Sequence, residues 1–292
     1  MIIAITGISG FTGQELSKVL ASKGHTIVPI ARKLTDDIQE TEKLASIISE
    51  VDIIINLRGA PMIRRHTKKY RQILHTSRIE TTRNLVSAIE IASKKPELLI
   101  SASATGIYEA EKSHNEYQCS YDPGFLGQLC TEWENAALKS KQYGTRCVIV
   151  RFGIILGKNG GIVKKLLPIF RSGLGAVILP SSASFPWVHI GDVTGFISQI
   201  IEDPNCQGVF NLSADAYTTQ KDFAKAFAQA LKKPLLFAIP QCMLKIIFGK
   251  GAAIITQTAQ INSVRLKEAA YELQFTNIYS ALKDILGNTD KR

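Results

Sequence analysis

The sequence predicts an α/β chain: a doubly wound parallel sheet carrying a smaller, mainly helical C-terminal lobe. Three observations predict it. Short apolar runs alternate with segments whose apolar residues recur at helical spacing. One run, Val51-Asp52-Ile53-Ile54-Ile55-Asn56-Leu57, is almost continuously apolar, as a strand covered on both faces must be. The chain also opens on strand, glycine turn and helix in immediate succession. With 292 residues and 45% apolar composition, there is material for one large domain and a smaller partner.

The first strand is Ile2-Ile3-Ala4-Ile5. It runs into Thr6-Gly7-Ile8-Ser9-Gly10-Phe11-Thr12-Gly13, and a helix follows with Leu16, Val19 and Leu20 on one face. Glycines so spaced between strand and helix let the backbone approach a pyrophosphate, while the helix N-terminus offers N–H groups and a positive dipole end. A tight turn without ligand would use the same residues, but the first strand is where a dinucleotide fold needs them. A second strand is expected at residues 25–31, a helix at 41–49 and the third strand at 51–57. One amphipathic helix is predicted over residues 67–93, with Tyr70, Ile73, Leu74, Leu85, Ala88 and Ile89 on its apolar stripe. Thr67 is its N-cap and Pro96 lies beyond its end.

A strand at 98–102 leads into a polar, tyrosine-bearing loop, 109–124, and loops of that length are often functional. Then come a helix at 125–140, a strand at 146–152, a helix at 161–171 and a strand at 176–179. A helix at 192–201 takes Asp192 as its N-cap, a strand returns at 209–212, and the chain is mostly helical from Thr219. Residues 1–157 and 190–213 are expected to form the sheet domain with the glycine turn, and 158–189 and 214–292 the smaller lobe.

Ligands of open α/β sheets gather beyond the carboxyl ends of the strands. That places the glycine turn, Arg32, residues 56–60 and residues 101–108 on one rim. An acidic residue ending the second strand would bond the ribose hydroxyls of NAD(H). Here Ala31-Arg32-Lys33 stands instead, and Arg32 can fork onto a 2′-phosphate and stack on adenine. NADP(H) is therefore preferred, while Asp36 and Asp37 keep NAD(H) open.

The net charge is +10, and the densest basic run is Arg64-Arg65-His66-Thr67-Lys68-Lys69-Tyr70-Arg71. It reads as a solvated helix face. Without an aromatic platform or a nucleic-acid motif, nucleic acid is disfavoured as a partner. The nearest approach to a membrane span, residues 243–255, is interrupted by Lys245 and Lys250. The opening residues lack a basic leader, and the five cysteines show neither metal spacing nor a paired framework. A cytoplasmic setting, a small-molecule substrate and no membrane partner are expected, with a homodimer left open.

Several motifs in order carry a resemblance. They are the glycine turn, Ile55-Asn56-Leu57-Arg58-Gly59-Ala60-Pro61, Ser77-Arg78, and Ser101-Ala102-Ser103-Ala104-Thr105-Gly106-Ile107-Tyr108. Trp133-Glu134, Arg151-Phe152-Gly153, Trp187-Val188-His189-Ile190 and Gly208-Val209-Phe210-Asn211-Leu212 continue the series. With these the chain resembles the extended short-chain dehydrogenase/reductase superfamily, in its branch of nucleoside-diphosphate-sugar epimerase-like proteins with a C-terminal domain of unknown function. The resemblance implies that Gly7, Ile8, Gly10, Phe11, Thr12 and Gly13 line the pyrophosphate, and that Arg32 and Lys33 meet the adenosine phosphate. It places Leu57, Arg58 and Gly59 by the adenosine or ribose, and Ser101 and Ala102 on the nicotinamide side.

The superfamily's chemistry implies a Ser that polarises substrate oxygen, a Tyr that moves the proton and a Lys four residues later. Ser103 holds the first place, but Gly124 and Gln128 stand in the other two. Tyr108 with Lys112, Tyr217 with Lys221 and Tyr279 with Lys283 have the Tyr/Lys spacing in the wrong context. Tyr108 and Tyr121 are the candidate proton donors, with packing of an apolar ring as their plainer role. Glu132 and Glu134 read as a solvated helix face. Trp187 and His189 belong to the substrate site or the lobe junction, where His189 is either an acid–base group or a structural histidine. Two functions follow: a hydride-transferring, epimerase-like oxidoreductase, or a cofactor-binding sensor without turnover.

Overall fold

The computed structural model describes residues 1–215, 217–252, 256 and 258–287. Its centre is a six-stranded parallel sheet built from β1 (Ile2–Thr6), β2 (Thr26–Ile30), β3 (Ile53–Asn56), β4 (Leu98–Ala104), β6 (Arg146–Phe152) and β10 (Gly208–Leu212). Across the sheet the order is β10-β6-β4-β3-β1-β2. The predicted doubly wound α/β architecture is present. Alternate residues serve opposite faces, which is why the strand sequences are apolar throughout. Ile3, Ile5, Ile55, Ile100 and Val150 meet Leu16 and Leu20 of α1 (Phe11–Ser22) and Phe196 and Ile200 of α8 (Ile190–Glu202). Ala4, Ile54, Leu99 and Ile149 meet Leu44 of α3 (Thr41–Ile48) and Leu85 and Ile89 of α5 (Thr81–Ile91) on the other face.

Gly13 lies where α1 crosses the glycine turn. A Cβ there would stand 2.5 Å from the Gly7 carbonyl oxygen and 2.7 Å from the Ile8 Cα. Its missing side chain is thus a condition of helix–strand packing. The helix predicted over 67–93 is interrupted rather than uniform. It runs as α4 (Lys68–His75), a π-helical turn (Thr76–Glu80) and α5, and Thr67 does cap it by accepting the Tyr70 N–H at 3.1 Å. Beyond β2 a short helix, α2 (Arg32–Asp36), begins at once, and it was not expected from the sequence.

The smaller lobe packs α7 (Gly161–Arg171), α9 (Gln220–Ala230) and the helix Ile278–Gly287 around Phe170, Phe185, Trp187, Phe223 and Phe227. Two small parallel sheets join it to the rim: β7 (Ile154–Leu156) with β9 (Trp187–His189), and β8 (Ala176–Leu179) with β11 (Phe237–Pro240). Of these four short strands only β8 was expected from the sequence. Within the loop 109–124, β5 (Ser113–His114) pairs with β12 (Gln260–Ile261), tying the loop to the C-terminal region. The segment around Val264–Glu268 returns to the large domain, where Leu266, Ala269, Tyr271 and Leu273 join the core under Phe196.

Asp192 is not the N-cap of its helix. α8 starts two residues earlier, and His189 caps it by accepting the Gly191 N–H on Nδ1 at 3.0 Å. The buried Asp192 carboxylate instead accepts the N–H groups of Gln274 (2.6 Å) and Phe275 (3.2 Å), anchoring the C-terminal segment. Among the described residues no helix is long and apolar enough to cross a membrane. Ala253, Ile254 and Ile255, at the end of the apolar stretch noted above, lie outside the described residues.

Candidate active site

An open cavity of about 440 Å³ sits beyond the carboxyl ends of β1, β2 and β3. Gly7, Ile8, Ser9 and Gly10 form one wall, Pro29 to Arg32 the second, and Leu57 to Ala60 with Ser77 the third. Gly7 has φ +70°, and a Cβ there would stand 2.9 Å from the Leu57 carbonyl oxygen. Only glycine suits that backbone and that approach. The turn closes on itself with the Gly10 N–H donating to the Gly7 carbonyl at 2.9 Å. A turn of this shape at a helix N-terminus has the geometry that suits a pyrophosphate.

Six residues that the resemblance assigned to the cofactor do not line this cavity. The Phe11 ring packs towards Gly157 and Gly160, and Gly13 is spent on packing; Thr12 lies beside them in the first turn of α1. Lys33 pairs with Glu40 at 3.1 Å. Ser101 is buried within β4 below Asn56, whose Nδ2 lies 3.4 Å from its hydroxyl, and the neighbouring Ala102 packs against Leu129 and Trp133.

Arg58 lines the cavity, but its guanidinium faces inward. It donates to the Arg32 carbonyl (2.9 Å), to the Thr35 hydroxyl and to the Asp36 carboxylate (2.6 Å). Asp37 is engaged as well, accepting the Gln39 N–H at 2.9 Å. Both acidic residues after β2 are therefore occupied, and Arg32, 77% exposed at the cavity rim, shares Asp36 with Arg58, its Nε lying 3.5 Å from the carboxylate.

A second group lies further along the same rim. Ser103 on β4 and Arg151 on β6 are register partners. Glu134, on α6 (Phe125–Leu138), joins them: the Ser103 hydroxyl donates to its Oε1 at 2.6 Å, and Arg151 binds both carboxylate oxygens at 2.7 Å. The other side of the Arg151 fork donates to the phenol oxygens of Tyr108 (2.7 Å) and Tyr121 (2.9 Å). Burial works against the Arg151 charge, but the Glu134 carboxylate outweighs it and keeps the guanidinium protonated. Tyr108 is buried, donates to Asn211 Oδ1 at 2.7 Å, and has its phenol pushed up to about 12, chiefly by burial. Tyr121 is 46% exposed, and among the described residues no group accepts its proton. An antiparallel bridge between residues 108 and 121 is what brings this loop tyrosine back to the rim.

A family model described as NAD dependent epimerase/dehydratase family matches residues 3–213. The chain belongs to that family. It is 31% identical to the mouse epimerase family protein SDR39U1, over 98% of this chain and all of that one. It is 30% identical to the epimerase family protein SERP0438 of Staphylococcus epidermidis, over 97% and 98% of the two chains. Human epimerase family protein SDR39U1 (isoform 2), in a crystal structure with NADPH, superposes with a TM-score of 0.90 at 29% identity, covering 99% of this chain and 100% of that one. UDP-N-acetylglucosamine 4-epimerase from Bacillus cereus matches with a TM-score of 0.77 at 18% identity over 99% of both chains, a likeness of fold alone.

Within this epimerase-family chain, the start of α6 explains why Gly124 and Gln128 stand where a Tyr/Lys pair was sought. Asp122 closes the helix end, accepting the N–H groups of Gly124 (3.0 Å) and Gly127 (3.3 Å). A Cβ at 127 would lie 1.9 Å from the Asp122 carbonyl oxygen, so the loop is laid directly on the helix. Gln128 turns back to the Pro123 carbonyl at 2.9 Å. Glu134 corrects the solvated-face expectation. Glu132 is half exposed against His75, but Glu134 is buried under Arg151. Arg151, Glu134 and Asn211 were not foreseen as one group; the signal was an arginine inside an otherwise apolar strand.

Trp187 and His189 both lie on β9. Trp187 is fully buried in the lobe's core and donates to the Thr218 hydroxyl at 3.0 Å. His189 caps α8, packs 3.9 Å from the Phe275 ring and has Nε2 3.4 Å from Asp284. Burial lowers its pKa more than Asp284 raises it. The unfolded chain thus takes up a proton near pH 6.5, and the folded chain only at lower pH. Stability present above about pH 6.5 is then lost as pH falls below it. His189→Asn, which retains a capping group, is expected to flatten that stretch of the stability–pH curve. Urea unfolding from about pH 7.5 to about pH 5 checks this, and an unchanged slope would exclude His189 as its source.

Proposed function

We propose that the chain is an NADP(H)-dependent, epimerase-like oxidoreductase acting on a small carbonyl or sugar-nucleotide-type substrate. One observation carries it. The glycine cradle and the Arg151–Tyr121 pair share the carboxyl rim of a single sheet, and no described residue accepts the Tyr121 phenol proton. The NADPH-bound human relative supports the cofactor. So does Arg32, a largely exposed guanidinium at the rim whose Nε pairs with Asp36 at 3.5 Å, while Arg58 and the Gln39 N–H also engage Asp36 and Asp37. Gly7, Ser9 and Gly10 would hold the pyrophosphate and Arg32 the 2′-phosphate.

When bound, a nicotinamide supplies or takes a hydride at the reacting carbon. The chain's own contribution is the proton. Tyr121 donates it to the substrate oxygen, and the Arg151 guanidinium at 2.9 Å stabilises the phenolate left behind. Glu134 holds Arg151 in place, and Ser103 steadies Glu134. Since the Ser103 proton already points at a carboxylate, Ser103 serves this site as a positioning residue.

A second reading, a sensor that binds NADP(H) without turnover, is favoured by Gly124 and Gln128 at the head of α6. NADPH oxidation across a panel of carbonyl and sugar-nucleotide substrates, run beside thermal stabilisation by NADPH, separates the two, because a ligand stabilises whatever its turnover. NADPH is expected to bind at least about tenfold more tightly than NADH, equivalent to about 1.4 kcal/mol. Equal affinities in a titration would remove the preference, and binding with no turnover would favour the sensor.

A further inference from the structure

Among the described residues three arginines are buried: Arg58, Arg78 and Arg151. Arg58 has the Asp36 carboxylate and Arg151 has Glu134. Arg78 has no carboxylate partner among the described residues. Its partners there are neutral: the Ala60 carbonyl (2.9 Å), the Leu74 carbonyl (3.4 Å) and the face of Trp133, 5.3 Å away. Burial pulls its pKa down to about 10. A buried charge left without a counter-charge is costly, and proteins rarely keep one without use.

Its position suggests the use. Arg78 sits in the π-helical turn Thr76–Glu80, a feature that recurs at functional sites. The turn grips one residue of the cavity wall from both sides: the Ser77 hydroxyl accepts the Ala60 N–H at 3.0 Å, and Arg78 takes the Ala60 carbonyl. Next to it, a Cβ on Gly59 would stand 2.8 Å from the guanidinium carbon and from Nη2. Gly59 has no left-handed backbone, and what a side chain there would meet is the Arg78 guanidinium pressed against the wall. The same wall abuts the glycine turn, where a Cβ on Gly7 would meet Leu57 and Arg58.

We infer that Arg78 is a buried counter-charge for the diphosphate of the bound dinucleotide, and that Gly59 is glycine so that the guanidinium can stand behind the cavity wall. The inference rests on the NADP(H) reading and adds a binding residue to it.

The test uses the full chain with Arg78→Gln and Arg78→Lys, and two probes: NADPH, and adenosine 2′-monophosphate, which lacks the diphosphate. Arg78→Gln is expected to weaken NADPH at least about tenfold and to leave adenosine 2′-monophosphate within about twofold, while Arg78→Lys keeps NADPH within about threefold. A purely structural clamp on Ala60 predicts a different pattern, in which both probes weaken together and Lys does no better than Gln. That pattern, or wild-type NADPH affinity in Arg78→Gln, overturns the inference and leaves the cofactor reading standing. Wild-type protein that binds neither probe sinks both. If Arg78→Gln does not fold, Arg78→Lys decides: retained NADPH affinity supports the counter-charge, and a loss of about tenfold in folded protein overturns it.

Discussion

Glu134→Ala is expected to lower the unfolding free energy by about 3–5 kcal/mol, the range seen when one partner of a buried ion pair is removed. The Arg151 and Glu134 side chains are 3% and 7% exposed, so water cannot replace the lost carboxylate. Deletion strands a guanidinium that made two 2.7 Å bonds and also frees the Ser103 hydroxyl. Much of the loss is the cost of an unpaired buried charge rather than the net worth of the pair. The double variant Arg151→Met with Glu134→Leu should therefore recover most of the stability, because apolar replacement of both partners is often neutral. Urea unfolding of the three proteins decides it. A Glu134→Ala midpoint equal to wild type would mean that Arg151 finds another partner. Activity should be lost in both variants, since each removes the arrangement that holds the cation beside Tyr121.

Tyr121→Phe is expected to behave in the opposite way, sparing the fold and removing turnover. The ring is about half exposed and, among the described residues, its hydroxyl has one bond, from Arg151 at 2.9 Å, so stability should move by less than about 1 kcal/mol. A positioned general acid contributes about 10²–10⁴-fold. With whichever substrate of the panel turns over, kcat should fall by that order while NADPH affinity stays unchanged. Tyr108→Phe gives the contrast. That phenol is buried, pushed up to about 12 and already donating to Asn211, so its removal should cost stability more than it costs proton transfer. If Tyr121→Phe turned over like wild type and Tyr108→Phe did not, the assignment of the donor would be reversed.

Much of the fold was legible because its signals are local. The continuous isoleucine runs of β1 and β3, the glycine turn between β1 and α1, and the Thr67 cap each depend on neighbours within a few residues. The helix 161–171 and the strand 176–179 were placed to the residue, whereas β7, β9 and β11 went unread. That Gly7 and Arg32 lie on the cavity rim was legible for the same local reason. Glu134 was not. It falls on the buried stripe of α6, four residues after Cys130 and three before Ala137, but a glutamate on such a stripe reads as buried only once its partner is known, and Arg151 lies on a distant strand.

By itself, then, the sequence determined the sheet, the cradle and the cation at its edge, because glycine conformation, strand periodicity and side-chain charge are properties of short segments. Only the tertiary structure decided which charged groups were free. It spent Asp36 on Arg58, Glu134 on Arg151 and His189 on a helix cap, and left Arg78 buried with neutral partners. The physical reason is that a side chain's partner and its exposure depend on elements tens of residues apart, brought together only when the sheet closes and the lobe docks on its rim.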